Sequence, residues 1–202
     1  MKNEIAPLTD LYRKDPEKLV EFTDQVTKGI RMLESVNTPR LFRPLNEFAI
    51  EKASETFGNI AFNAYEKFAY GKDKNTSPII SIENPPVGMG LSRAEELKAV
   101  VEKAQDNFVE KAKDQLGMSE KEARKQAEKI IGVTWDVGHI NMLRRHGYDS
   151  SEITDQTQKI APYVKHIHLS DNFGLEHTEL PMGMGNVPIK QHEEILRKQF
   201  KE

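Results

Sequence analysis

Three residues of this 202-residue chain end apolar runs with side chains able to hold a divalent cation. Glu83 closes Ile79-Ile80-Ser81-Ile82, Asp136 closes Ile131-Gly132-Val133-Thr134-Trp135, and His168 closes Val164-Lys165-His166-Ile167. Mn²⁺, Mg²⁺, Co²⁺ and Zn²⁺ all accept a mixture of carboxylate and imidazole ligands. Taken singly, Glu83 reads equally as a strand-end ion-pair partner. Asp136, with His139 three residues on, reads equally as a loop-capping pair. Their joint occurrence at three strand ends favours a metal site.

Strand side chains alternate between faces. That parity puts Ser81 with Glu83, Thr134 with Asp136 and His166 with His168, opposite Ile80 and Ile82, Val133 and Trp135, and Ile167 and Leu169. Each strand therefore has one apolar face for helices and one polar face ending in a potential ligand. Trp135 is expected in the core beneath the helices.

Helical periods surround these strands. Asp15-Pro16 opens a helix with Leu19, Phe22, Val26, Ile30 and Leu33 on one stripe, and Asn37-Thr38-Pro39 breaks it. A second helical region spans Phe48 to Ala69, with an interruption expected at Gly58-Asn59. Gly71 to Ser77 reads as a polar turn. Ser92 with Glu95 forms the sequence of a capping box before Leu97, Val100, Val101, Ala104 and Phe108. Ser119 with Glu122 caps another helix, and Glu110 to Lys129 reads as a solvated helix pair. A short helix is expected over roughly 151–161 and a last one near 189–200. The order strand, helix, strand, helix, strand, helix is that of parallel βα units, which gather functional groups at the C-terminal strand ends. We expect an α/β fold, a partial (β/α) TIM-type barrel with extra N-terminal helices. Residues 1–77 form its mainly helical N-terminal part, and 78–202 carry the βα units and the site.

Bulk composition narrows the functions. With no cysteine, disulfides and thiolate ligands are excluded. A net charge of -3 gives no general attraction to nucleic acid or anionic membrane. No run approaches the ~20 apolar residues of a membrane span, and the first residues lack a signal-peptide core, so a cytoplasmic location is expected.

The motifs Ile82-Glu83-Asn84, Trp135-Asp136-Val137-Gly138-His139 and His166-Ile167-His168-Leu169-Ser170-Asp171-Asn172, in this order, resemble the xylose-isomerase-like superfamily. A Pro-x-Gly-x-Gly stretch, Pro181 to Gly185, follows the histidine strand as in many of its members. The resemblance covers about residues 78–200. The superfamily contains sugar and sugar-phosphate isomerases and epimerases, hydroxypyruvate isomerase, and apurinic endonucleases of the endonuclease IV type. It implies that Glu83, Asp136 and His168 are metal ligands, and that Glu83 and His139 are the catalytic candidates. His139 would contact substrate in an isomerase or hold a second metal in an endonuclease-like site. His166 would be a deeper, structural or supporting residue, and Asp171 would orient the loop or a ligand, or cap the turn.

Three departures from the family pattern stand out. The isomerases carry a further glutamate on a last strand; here no strand follows His168, and Glu193 and Glu194 fall on the final helix. Three good strands are fewer than a full barrel needs, which suggests a barrel segment, completed by a missing portion or by another copy. Where endonuclease-like relatives have Asp-x-His, this chain has His177-Thr178-Glu179. The leading function is a metal-dependent isomerase or epimerase of a sugar or sugar phosphate. The alternatives are an endonuclease IV-like phosphodiesterase on abasic DNA, and a catalytically incomplete barrel serving as a binding or assembly module. For the nuclease, Arg144-Arg145-His146 is the local basic cluster, read as a solvated loop.

Overall fold

One apolar face per strand decides which side of the sheet the helices cover. The computed structural model describes residues 16–35, 42–73 and 76–199, and the chain divides into two compact units, Met1–Arg43 and Pro44–Glu202. The first holds helix α1 (Pro16–Ser35), which starts at the expected proline and leaves Val26, Ile30 and Leu33 exposed. The expected cap Asp15 and the Asn37-Thr38-Pro39 break lie outside the described residues, as does Phe200 at the other end.

The second unit runs α2 (Leu45–Phe68), β1 (Ile80–Glu83), α3 (Ala94–Leu116), α4 (Glu120–Ile130), β2 (Ile131–Asp136), α5 (Val137–Asn141), a 3-10 turn (Met142–His146), α6 (Ser150–Ile160), a second 3-10 turn (Ala161–Tyr163), β3 (Val164–His168) and α7 (Ile189–Gln199). The strands are parallel in the sequential order β1-β2-β3. This is the α/β arrangement of a partial (β/α) barrel. Among the described residues, no helix is long and apolar enough to cross a membrane.

The outer face of the sheet carries the buried Ile82, Val133, Trp135 and Val164. Against it lies the stripe Leu97, Val100, Val101, Ala104 and Phe108 of α3, each completely buried. Burying one such large aliphatic or aromatic side chain stabilises the fold by roughly 1.5–3 kcal/mol. Trp135 is in the core as expected, its indole N–H donating to Thr157 Oγ1 at 2.8 Å. The stretch 110–129 is wet on one side only, because Ala112, Ala123 and Ala127 are buried.

Helix α2 is not interrupted at Gly58-Asn59; it continues to Phe68. A Cβ at Gly58 would lie 2.8 Å from Asn107 Cβ and 2.9 Å from Ala104 O. The glycine therefore serves the close approach of two helices, and tertiary contact outweighs its low helix propensity. Downstream, Phe62 and Tyr65 pack edge-on to Phe108, and Tyr70 donates to Leu116 O. The pairs advance together along both chains, so α2 and α3 run in the same direction, as successive helices of βα units do.

Ser92 and Glu95 form no capping box. The cap position of α3 is Arg93, without a side-chain bond, and the N–H of Ala94 donates instead to Gln156 Oε1 on α6 at 3.1 Å. A residue 62 positions away thus supplies what the local motif predicted. The expected Ser119 cap is present, accepting from Glu122 N, and α6 carries a full capping box between Asp149 and Glu152.

Strand β3 holds an irregularity that alternation alone misses. Val133 pairs with Val164 and Thr134 with His166, so Lys165 is an extra residue. This bulge turns Val164 to the helix side while keeping His166 and His168 on the inner face.

On the outer side, His192 of α7 is fully buried. Because Thr157 Oγ1 accepts the Trp135 proton, it donates its own to His192 Nδ1 at 2.7 Å. The ring proton of the neutral imidazole is then on Nε2, which has no hydrogen-bond partner among the described residues. Burial depresses the His192 pKa to about 4. The unfolded chain therefore binds the extra proton first, and stability present above pH ~6.5 declines as pH falls toward 4. The expected loss is about 3 kcal/mol, at about 1.4 kcal/mol per pKa unit. Urea unfolding across this pH range tests it, with His192→Asn, whose amide can still accept from Thr157, expected to flatten the slope.

Candidate metal centre

The inner sheet face is polar from end to end. Ser81 and Thr134 share a hydrogen bond of 2.7 Å beneath the site, and Glu83, Asp136 and His168 stand at the C-terminal strand ends; Asp136 pairs with His168, whereas Glu83 pairs with Thr134, one inner-face position short of Asp136. Glu83 and His168 are exposed, whereas Asp136 on the central strand is buried.

Beyond Glu83 the strand cannot continue, since Pro85 and Pro86 carry no N–H. The side chain of Asn84 takes over the pairing. Its Oδ1 accepts from Asp136 N at 2.7 Å, and its Nδ2 donates to Asp136 O at 3.0 Å. Asp136 then caps the short helix α5, Oδ1 accepting from His139 N at 2.9 Å. This leaves Oδ2 facing His139 Nε2 and His168 Nδ1, both at 3.7 Å.

His139 is buried, and its Nδ1 lies 2.7 Å from the backbone oxygen of Asn84. A carbonyl only accepts, so the proton is on Nδ1 and the Nε2 lone pair faces the site. His177 Nε2 donates to that nitrogen at 2.9 Å. Nδ1 of His168 donates to Glu83 Oε1 at 2.8 Å, and the ring stands edge-on to the exposed His166.

Asp171 is placed differently. Its buried carboxylate accepts from the N–H groups of Asn172, Gly183, Gly185 and Val187 at 2.8–3.0 Å. Burial opposes its ionisation, but the four donors outweigh that and hold its pKa below the usual carboxylate value. It therefore organises the Pro-x-Gly-x-Gly loop; His177, which reaches His139, lies in the preceding segment closed by the Asp171–Leu180 bridge. Glu179 is largely exposed, 3.9 Å from His177.

The Arg144-Arg145-His146 cluster is solvent-exposed at Arg145 and His146, as expected, but its arginines are tied down. Arg144 donates to Asn141 Oδ1, Ser150 Oγ and the backbone oxygen of Asn186, and Arg145 donates to Val87 O. Asn141 also donates to Asn172 and Asn186, so these residues tie together the loops around the site. At Gly138 a Cβ would come within 2.3 Å of Ser170 Oγ, which explains the glycine between Asp136 and His139.

A cavity of about 750 Å³ lies at the other end of the sheet, lined by Tyr163, Lys165, Glu102 and Arg124 among others. Its charges are partly spent on each other, Arg124 with Asp106 and Tyr163 with Glu102, and active sites of parallel βα folds lie at the C-terminal strand ends. The candidate site is the cluster at the C-terminal strand ends.

The residues present fit a divalent cation. Glu83, Asp136 and His139 each offer a ligand atom, all within 4.8 Å of one another, and two carboxylates held this close favour a bound cation. His168 adjoins the same set through Nδ1. Sequence reasoning assigned no role to Asn84; its signal was an asparagine on a strand end followed by two prolines.

No family model matches the chain, and no curated protein matches it. Among solved structures, one described as "Crystal structure of D-tagatose 3-epimerase-like protein" is similar, with a TM-score of 0.45 and 22% identity. The match covers 79% of this chain and 48% of that one, so the chain spans about half its length.

Proposed function

We propose that this chain carries the metal site of an isomerase or epimerase acting on a sugar or sugar phosphate. The observation that carries the reading is the convergence of Glu83, Asp136, His139 and His168 at the ends of three adjacent parallel strands. Asp136 Oδ2, Glu83 and the imidazoles of His139 and His168 would hold Mn²⁺, Mg²⁺, Co²⁺ or Zn²⁺; His168 would ligate through Nδ1 with its proton on Nε2. Such an ion polarises a carbonyl and its neighbouring hydroxyl when bound. Glu83, exposed on the open face, would move a proton at the adjacent carbon. His139, fixed by Asn84 and Asp136, orients the substrate or completes the ligand set. The purified protein with Mn²⁺ is expected to exchange α-protons of a sugar or sugar phosphate with solvent, observed by NMR across a substrate panel. No exchange with any member would overturn the reading.

One contact favours a second reading. The approach of His177 Nε2 to His139 Nε2, 2.9 Å apart, supplies nitrogens beside the first set, as a clustered-metal phosphodiesterase needs. Metal-dependent cleavage of an abasic-site duplex, without proton exchange on sugars, would select it.

A further inference from the structure

Asn84 reaches two of the candidate ligands at once, and neither contact is visible from local sequence. Its side chain is completely buried. Through its amide it continues the β1–β2 ladder for one more rung, giving Asp136 N an acceptor and Asp136 O a donor. Through its own backbone oxygen it takes the Nδ1 proton of His139. The amide supplies a donor and an acceptor on two separate atoms, one for each Asp136 backbone group. Aspartate would lose the donor and bury a charge, and alanine would leave both Asp136 groups without partners.

The two contacts are coupled. The oxygen that receives His139 belongs to the residue whose side chain is clamped to Asp136, and Asp136 in turn caps the helix bearing His139. Asn84, Asp136 and His139 thus form a closed ring of hydrogen bonds. That ring directs Asp136 Oδ2 and the His139 Nε2 lone pair into one space beside Glu83.

We infer that Asn84 is a positioning residue: it sets the orientation of Asp136 and the tautomer of His139, and so pre-organises the site for a cation before any ligand arrives. The inference rests on the metal-site reading for its purpose, though not for its geometry. Groups that orient metal ligands typically change metal affinity by about 10- to 100-fold when removed.

The test uses Asn84→Ala and the isosteric Asn84→Asp beside the parent protein. The imidazole tautomers of the metal-free proteins are read by ¹⁵N NMR at alkaline pH, and Mn²⁺ affinity is read by calorimetry. The parent protein is expected to show His139 as the Nδ1–H form. In both variants that form gives way to a tautomer mixture, and Mn²⁺ binding weakens by about 10- to 100-fold. A merely structural role would lower the melting temperature and leave tautomer and affinity unchanged; that result overturns the inference, and if Asn84→Ala fails to fold, Asn84→Asp decides. If the parent protein binds no Mn²⁺, the metal-site reading fails while the tautomer measurement still decides the role of Asn84.

Discussion

Replacing Glu83 with glutamine is expected to weaken Mn²⁺ binding by more than about 100-fold, beyond the usual cost of losing an outer partner, with little change in stability. Two features separate these effects. Glu83 is the most exposed carboxylate of the set, on the open inner face; among the described residues it accepts one hydrogen bond, from His168 at 2.8 Å, and lies 4.0 Å from His139 Nδ1. Exposed pairs of this kind contribute ~0–1 kcal/mol, and glutamine keeps an oxygen that can accept from His168. The charge, however, is lost, and a hard cation depends on it. Calorimetric titration with Mn²⁺ beside a thermal melt gives both quantities. Unchanged affinity would remove Glu83 from the site, whereas a large drop in melting temperature would reassign it to the fold.

Asp171→Ala should act in the opposite way, destabilising the protein by about 4 kcal/mol while leaving the candidate metal ligands in place. Each lost charge-assisted hydrogen bond is worth roughly 1.5–3 kcal/mol, and four backbone N–H groups converge on this one carboxylate. Water reaches part of the glycine-rich loop once it loosens, so the sum is not fully realised. Denaturant unfolding measures the loss, and a change under about 1 kcal/mol would show that the loop holds without this anchor. Loosening should also release His177 from His139, because His177 lies in the segment closed by the Asp171–Leu180 bridge. The His177 imidazole resonances report that directly.

The two substitutions also separate what local sequence could show from what it could not. Strand positions, the inward parity of Glu83, Asp136 and His168, the buried Trp135 and the Ser119 cap follow from alternation and from residues three positions apart. These are short-range rules, so the chain carries them in plain view. The order of the three motifs added the expectation of a site at the C-terminal strand ends. By contrast, Gly58 reads as a helix breaker until α3 is placed against it, and Ser92 reads as a cap until Gln156 arrives from α6. Arg144 and Arg145 read as a free basic cluster until acceptors of other segments, Asn186 O, Ser150 Oγ and Val87 O, take their hydrogen bonds. The bulge at Lys165 is likewise set by pairing with β2, not by the β3 sequence alone.

At the site itself, sequence determined the donor types and the strand ends that bear them. Only the tertiary structure decided which atoms face one another. Asn84 and Asp136 are 52 residues apart, and Glu83 and His168 are 85 apart. A hydrogen bond is a matter of tenths of an ångström and tens of degrees, whereas alternation specifies only a face. His139 therefore joined Glu83 and Asp136, and Asp171 turned to the loop, for reasons that exist only once the three strands lie side by side.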